Sequence, residues 1–309
     1  MVRNSTQEGY YRANWLWVLT AFGAHTGWGA YPVLARYLQT VSEVPSFSLI
    51  AAGSLTVLIV SGGLIIPKIG WSVFKSRILW IFAVFVFTRA VTNMLAARFT
   101  LAIYVQLITL MTPFLVAILS STLFKDHIPS YTGRSILISL IGVVMIMNGE
   151  INSAGMTFDL SDKDWIGIIL AISSSFTLAM YMILVRRTAS SNIPAEAVFL
   201  VQFITLSTVT PVLSILIGEN WNQWGELKIN DWLVFGAYSI LVLTGSNFGQ
   251  INALRHLGAP MVSSMMPWRL VSALIFGAIL LNERLTSPWQ IIGAIIVLIT
   301  ITWYLWKQK

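Results

Sequence analysis

Ten runs of about twenty apolar residues punctuate the chain, at residues 13–35, 46–66, 78–97, 100–123, 131–148, 165–185, 196–217, 232–253, 259–281 and 288–306. They leave little freedom over what it can fold into. A hydrocarbon layer of roughly 30 Å is crossed by about 20 residues of helix, and inside it each backbone amide must find its partner within the same segment. The runs lack the alternation of a transmembrane barrel strand. The expected fold is therefore an all-α integral membrane protein with ten transmembrane helices. The first run is too long for a signal peptide and has no small-residue cleavage site after it, so it is expected to be retained. The connections are short and leave no room for a soluble catalytic domain.

Composition agrees. Only 10% of the 309 residues are charged and mean hydropathy is +0.77, whereas a soluble domain carries about a quarter charged residues. With no cysteine and three histidines (His25, His127, His256), disulfides, thiol chemistry, iron–sulfur clusters and the usual zinc spacings are excluded. No buried acid, base, metal or nucleophile set argues for an enzyme. The expectation is no catalytic residue, no metal and no cofactor.

The net charge of +7 reads as topology. With the N-terminus inside, twelve of the nineteen basic residues fall in cytoplasmic segments, five fall outside, and Arg89 and Arg269 remain within spans. Nine of the twelve acidic residues fall outside, and none lies within a span. By the positive-inside rule both termini are expected to be cytoplasmic, in a multi-pass protein of the cell (inner or plasma) membrane. Basic residues scattered between apolar runs are not a nucleic-acid footprint.

The chain also resembles itself. At an offset of 150, Trp15 meets Trp165, Tyr31 meets Tyr181, Leu34 meets Leu184 and Arg36 meets Arg186. At an offset of 157, Arg98 meets Arg255 and Asp126 meets Glu283, and each intervening helix holds a proline, Pro113 or Pro267. Five spans per unit is an odd number, so the copies must enter the membrane from opposite sides. Inverted repeats with a midplane site between them are typical of secondary transporters.

The segment Asn252-Ala253-Leu254-Arg255-His256-Leu257-Gly258-Ala259, followed by Pro267, Asn282-Glu283-Arg284-Leu285 and the helix bearing Gly293, resembles the end of an EamA domain. That domain characterises much of the drug/metabolite transporter superfamily. Ala97-Arg98-Phe99 through Pro113 to Lys125-Asp126-His127 is similar but more divergent. The resemblance implies two five-helix EamA repeats, 13–148 and 165–306, joined by an outside loop at 149–164, around a central cavity that moves small metabolites. Asn282 stands where the family has glycine, Asp126 replaces the glutamate in the first copy, and Arg269 occupies a position the family makes apolar.

An arginine in mid-span costs roughly 2.5–3.5 kcal/mol on insertion scales, so it is expected to face a cavity or a partner. Arg89 and Arg269 should sit at similar depths, with no acid in any span to neutralise them. They either bond carbonyls and support packing or form an anion site, since a guanidinium fork suits carboxylate or phosphate. Asn93 shares a helical face with Arg89. Asn247 and Gln250, Tyr181, Tyr104, and His25 with Trp28 extend the polar set, and Trp28 and Trp268 lie deep enough to stack on a ring or an arginine. Each of these has interhelical packing as its alternative role. Pro32, Pro113, Pro211 and Pro267 are static bends or hinges. A cationic ligand would want a buried carboxylate, and no span has one. The expected partners are the lipid bilayer and a small-molecule substrate, with no nucleic acid; a homodimer is left open. The expected function is alternating-access transport, as an exporter, of an amino acid or other carboxylate- or phosphate-bearing metabolite. Export of neutral or cationic amphiphiles, or a non-transporting channel or receptor, is the alternative.

Overall fold

The computed structural model describes residues 5–124, 131–147, 150–152, 155–157, 161–257, 262, 265–283, 285 and 287–307. Lys125-Asp126-His127, Gly258-Ala259 and Arg284, which carry parts of the family resemblance, lie outside the described residues. The helices are α1 (Ser5–Thr40), α2 (Ser46–Ile65), α3 (Arg77–Phe99), α4 (Ala102–Thr109), α5 (Thr112–Phe124), α6 (Thr132–Met147), α7 (Asp162–Ser190) and α8 (Ala195–Ile217). Then come α9 (Ile229–Gly236), a π-helical stretch over Ala237–Ser246, α10 (Asn247–Leu257), α11 (Trp268–Leu280) and α12 (Pro288–Lys307). Among the described residues six helical runs are long and apolar enough to cross a membrane: Ser46–Ile65, Arg77–Phe99, Ala102–Leu123, Asp162–Ser190, Ala195–Ile217 and Ile229–Leu254. Thr132–Ile146, Trp268–Leu280 and Pro288–Tyr304 are shorter apolar helices. The chain is a multi-pass membrane protein. Its surface agrees, with Leu216 76% and Ile59 74% exposed, an arrangement that water would penalise and hydrocarbon does not.

Local chemistry sets the ends. Ser161 and Asp164 form a reciprocal capping box at the start of α7, which satisfies two orphan amides. Gly218 closes α8 in the left-handed region, with φ +77°, where a side chain would be strained. The segment before α7, expected as plain loop, contains a two-stranded antiparallel hairpin pairing Glu150 with Thr157 and Asn152 with Gly155. Strands this short carry no apolar periodicity to read.

The prolines divide into two kinds. Pro32 and Pro211 sit inside continuous helices. Pro113 falls in the first turn of α5, directly after the turn at Leu110–Met111 that separates α5 from α4, and Pro267 precedes α11. A proline is best tolerated at a helix start, where its missing N–H has no bond to lose.

Helix packing exchanges the two halves. The helix α1 packs on α10, on the π-helical stretch and on α11, as α7 packs on α3, α4 and α5; α2 packs on α8, and α6 on α12. At the α6–α12 crossing a Cβ on Gly293 would stand 2.6 Å from the Gly142 carbonyl oxygen, so the backbones touch there as in small-residue membrane contacts. The larger core joins α1, α2, α3, α7 and α8 with the π-helical stretch, and a second joins α4, α6, α11 and α12.

One end of the bundle is tied by polar contacts between distant segments. Arg36 Nε lies 2.9 Å from Glu283 Oε1, and its guanidinium donates to the carbonyls of Ala97 and Thr100. Glu219 accepts from the amides of Phe47 and Ser48 at 3.0 and 2.8 Å. Thr100 donates to Asp164 and Ser42 to Asp231. Burial pushes the Glu283 carboxyl above its ordinary range, while Arg36 and the amides of Ala102 and Ile103 pull it back down.

Candidate functional site

The helices converge on a narrow cavity of about 40 Å³, lined from α1 by Trp28 and Tyr31, from α3 by Arg89 and Asn93, from α8 by Gln202 and Phe203, and by Tyr238. None of its described lining residues is acidic. Arg89 lies over two rings, its Cζ 4.8 Å from the centroid of Trp28 and 5.0 Å from that of Tyr181. Arg269 approaches the Trp28 ring too, at 5.9 Å. Trp28 thus stands beside both guanidiniums. Tyr31 and Tyr238 extend the aromatic wall, with ring centroids 5.5 Å apart.

The two arginines are held differently. Arg269, 2% exposed, donates from Nε to His25 Nδ1 at 2.8 Å and from a terminal nitrogen to Gln250 Oε1 at 3.1 Å. Because His25 Nδ1 accepts, its Nε2 carries the proton and donates to the Val262 carbonyl at 2.9 Å. All of these partners are neutral, so Arg269 is positioned but not neutralised. The Arg89 guanidinium makes ring contacts and no hydrogen bond among the described residues. Ring contacts of about 0.5–2 kcal/mol each offset part of the roughly 2.5–3.5 kcal/mol cost of a mid-membrane arginine. They fill none of its five N–H donors.

Of the remaining sequence candidates, Asn93 donates to Ser174 Oγ at 3.0 Å, and Tyr181 donates to Asn247 Oδ1 at 3.5 Å. His25, Trp28, Arg89, Tyr181, Asn247, Gln250 and Arg269 are therefore linked in one cluster of polar and ring contacts, and Asn93 lines the same cavity as Arg89. Two candidates lie elsewhere. Trp268 is 39% exposed, donates to Thr26 Oγ1 and meets Phe22 edge-on, because consecutive helical residues point about 100° apart. Tyr104 packs in the second core with Leu107, Phe114 and Tyr304. Gln202 lines the cavity and was not among the sequence candidates; the one signal for it was an amide in the otherwise apolar run of α8.

No curated protein sequence matches the chain. A solved crystal structure, described only as that of a protein, shares the fold with a TM-score of 0.65 at 16% identity, covering 95% of this chain and 98% of that chain. Residues 165–306 match the EamA-like transporter family, whose members are transporters. That family belongs to the drug/metabolite transporter superfamily, and the match covers just under half of the chain.

Proposed function

We propose that the protein carries a small anionic metabolite, bearing a carboxylate or phosphate, across the cell membrane by alternating access, and that it works as an exporter. The observation that carries the reading is Arg89, in a cavity with no acid among its described lining residues, with the Arg269 guanidinium behind that lining on the same Trp28 ring. A desolvated arginine with unfilled donors asks for an anion, which it can hold through two parallel bonds. The same charge disfavours cationic amphiphiles, which would need an acid or an open aromatic cage.

The carrier mechanism rests on two five-helix repeats of opposite orientation, 13–148 and 165–306, joined by an outside loop at 149–164, in a ten-helix bundle with both termini cytoplasmic. The exchange of packing partners between α1 and α7, and the mutual pairings of α2 with α8 and α6 with α12, support this reading. Such repeats rock about a fixed midplane site. Thermal stabilisation of the purified protein by a panel of carboxylates and phosphates, repeated with Arg89→Ala and Arg269→Ala, tests the anion site. Loss of stabilisation in folded variants is expected; unchanged affinity in both would overturn it. Saturable counterflow in proteoliposomes tests the carrier, and non-saturable flux would identify a channel instead.

A further inference from the structure

Two polar groups of the cavity have no partner among the described residues. The Trp28 indole N–H is buried and unbonded, on a residue 6% exposed, and so is the Gln202 side-chain oxygen, on a residue 4% exposed. The Gln202 amide makes no hydrogen bond among the described residues. A buried polar group left without a partner is destabilising, so two of them beside Arg89, in the cavity they both line, are groups a ligand would complete. They differ in kind. The indole N–H is a donor only and adds to the donors of Arg89; the Gln202 oxygen is an acceptor and asks for a donor on the solute.

We propose that Gln202 is the specificity-determining residue of the cavity: it accepts a hydrogen bond from a neutral hydroxyl or amide N–H on the transported anion, while Arg89 and the Trp28 N–H hold the anionic group. This rests on the anion reading above and narrows it. An ammonium group fits poorly, because the acceptor is an uncharged amide and Arg89 and Arg269 lie 4.8 and 5.9 Å from the shared Trp28 ring. A zwitterion would bring its positive charge beside Arg89, with Arg269 behind the lining on the same Trp28 ring and no acid among the described lining residues. The wall of Trp28, Tyr31, Phe203 and Tyr238 suits a flat apolar body. The solute is therefore a hydroxylated or N-acylated carboxylate with an apolar or aromatic body, and the α-amino acid of the same skeleton is discriminated against.

Three probes with one skeleton separate these terms: 3-phenyllactate, phenylalanine and 3-phenylpropionate, each titrated into the detergent-solubilised full chain by calorimetry. Phenyllactate should bind about tenfold tighter than phenylpropionate, the worth of one buried hydrogen bond, and tighter still than phenylalanine. Gln202→Leu should erase the advantage of phenyllactate over phenylpropionate and leave phenylpropionate binding intact. Gln202→Glu should weaken both anions and shift the preference toward phenylalanine. If phenylalanine binds the wild type as tightly as phenyllactate, or the hydroxyl advantage survives Gln202→Leu, the proposal fails even though Arg89→Ala abolishes binding. If Arg89→Ala leaves phenylpropionate binding unchanged, the anion reading itself fails. No binding of any probe to monodisperse protein overturns the proposal as well.

Discussion

Arg89 and Arg269 look alike in the sequence, as unneutralised cations at similar depth, but they are held in different ways. Arg269 is clamped by His25 and Gln250 through different nitrogens of one planar fork. A lysine has a single ammonium and cannot reproduce that geometry. Arg269→Lys is expected to lower stability by about 1–3 kcal/mol, through a stranded His25 lone pair or Gln250 oxygen, measured by thermal unfolding in detergent. Arg89→Lys loses only ring contacts, so its melting temperature should stay near wild type while anion affinity falls; the reverse pattern would exchange the two roles. The same bonds bear on coupling. His25 has its one lone pair occupied by an arginine donor, so it is poorly placed to take a proton, and His25→Gln should leave any pH dependence of transport unchanged. That both arginines fall within apolar runs was legible from the sequence. Their division of labour was not, because it depends on which α10 and α1 side chains reach them. The outward turn of Trp268 was legible in principle, since its neighbour Arg269 had already claimed the inward direction.

Helices end, break and cross where the residue chemistry allows it, and the interruptions gather around the cavity. Pro32 cannot donate to the carbonyl of Trp28 four residues earlier, so α1 has a loosened turn at its most contacted aromatic residue. The π-helical stretch at Ala237–Ser246 carries Tyr238 on the opposite wall, and such departures from regular winding recur at functional sites. Pro32→Ala, by restoring the missing bond, is expected to raise the melting temperature and slow counterflow; a faster carrier would show that the bend is not a hinge. Close approach matters as much as bending. A Cβ on Gly29 would lie 2.4 Å from the Arg269 carbonyl oxygen, so Gly29→Ala must push α1 and α11 apart. Overpacking of this kind costs about 1–3 kcal/mol, read as a lowered melting temperature, with anion affinity falling because the Arg269 clamp moves. The apolar runs made the long helices legible. The π-helical stretch carries no proline or other residue pattern to mark it, and the breaks at Pro113 and Pro267 were foreshadowed only as bends, since a proline marks a bend or a helix start equally well.

Across the whole molecule, one end of the bundle is tied by contacts between segments far apart in sequence, and Arg36–Glu283 is an ion pair among them. It joins the last turns of α1 to the residue just beyond α11, and Glu283 also accepts from the amide of Ala102 at 3.4 Å, at the start of α4. Three helices therefore depend on one carboxylate at the end that the charge distribution puts outside. In the proposed carrier this end must open for release. Because burial holds the Glu283 carboxyl above the ordinary glutamate range, near about 4.3, its folded state keeps a proton to higher pH than an unfolded chain does. The sign follows: the packed state binds this proton more tightly than an exposed glutamate does, so acidification through the raised value favours the packed outer end. As pH rises through it, the carboxylate must be buried as a charge, a cost that the pair with Arg36 offsets only in part, and the packed end is weakened. The chain has no cysteine, so one introduced at Tyr31 on the cavity wall is its only thiol and reports access directly. In right-side-out vesicles, labelling of Tyr31→Cys by a membrane-impermeant thiol reagent is expected to fall several-fold in Glu283→Gln, which mimics the protonated carboxyl, at neutral pH. With a pH-insensitive thiosulfonate reagent, labelling of the otherwise wild-type chain should fall on acidification, whereas the Glu283→Gln chain should show little further change. Equal labelling of the two chains at every pH would show that Glu283 braces the bundle without closing it.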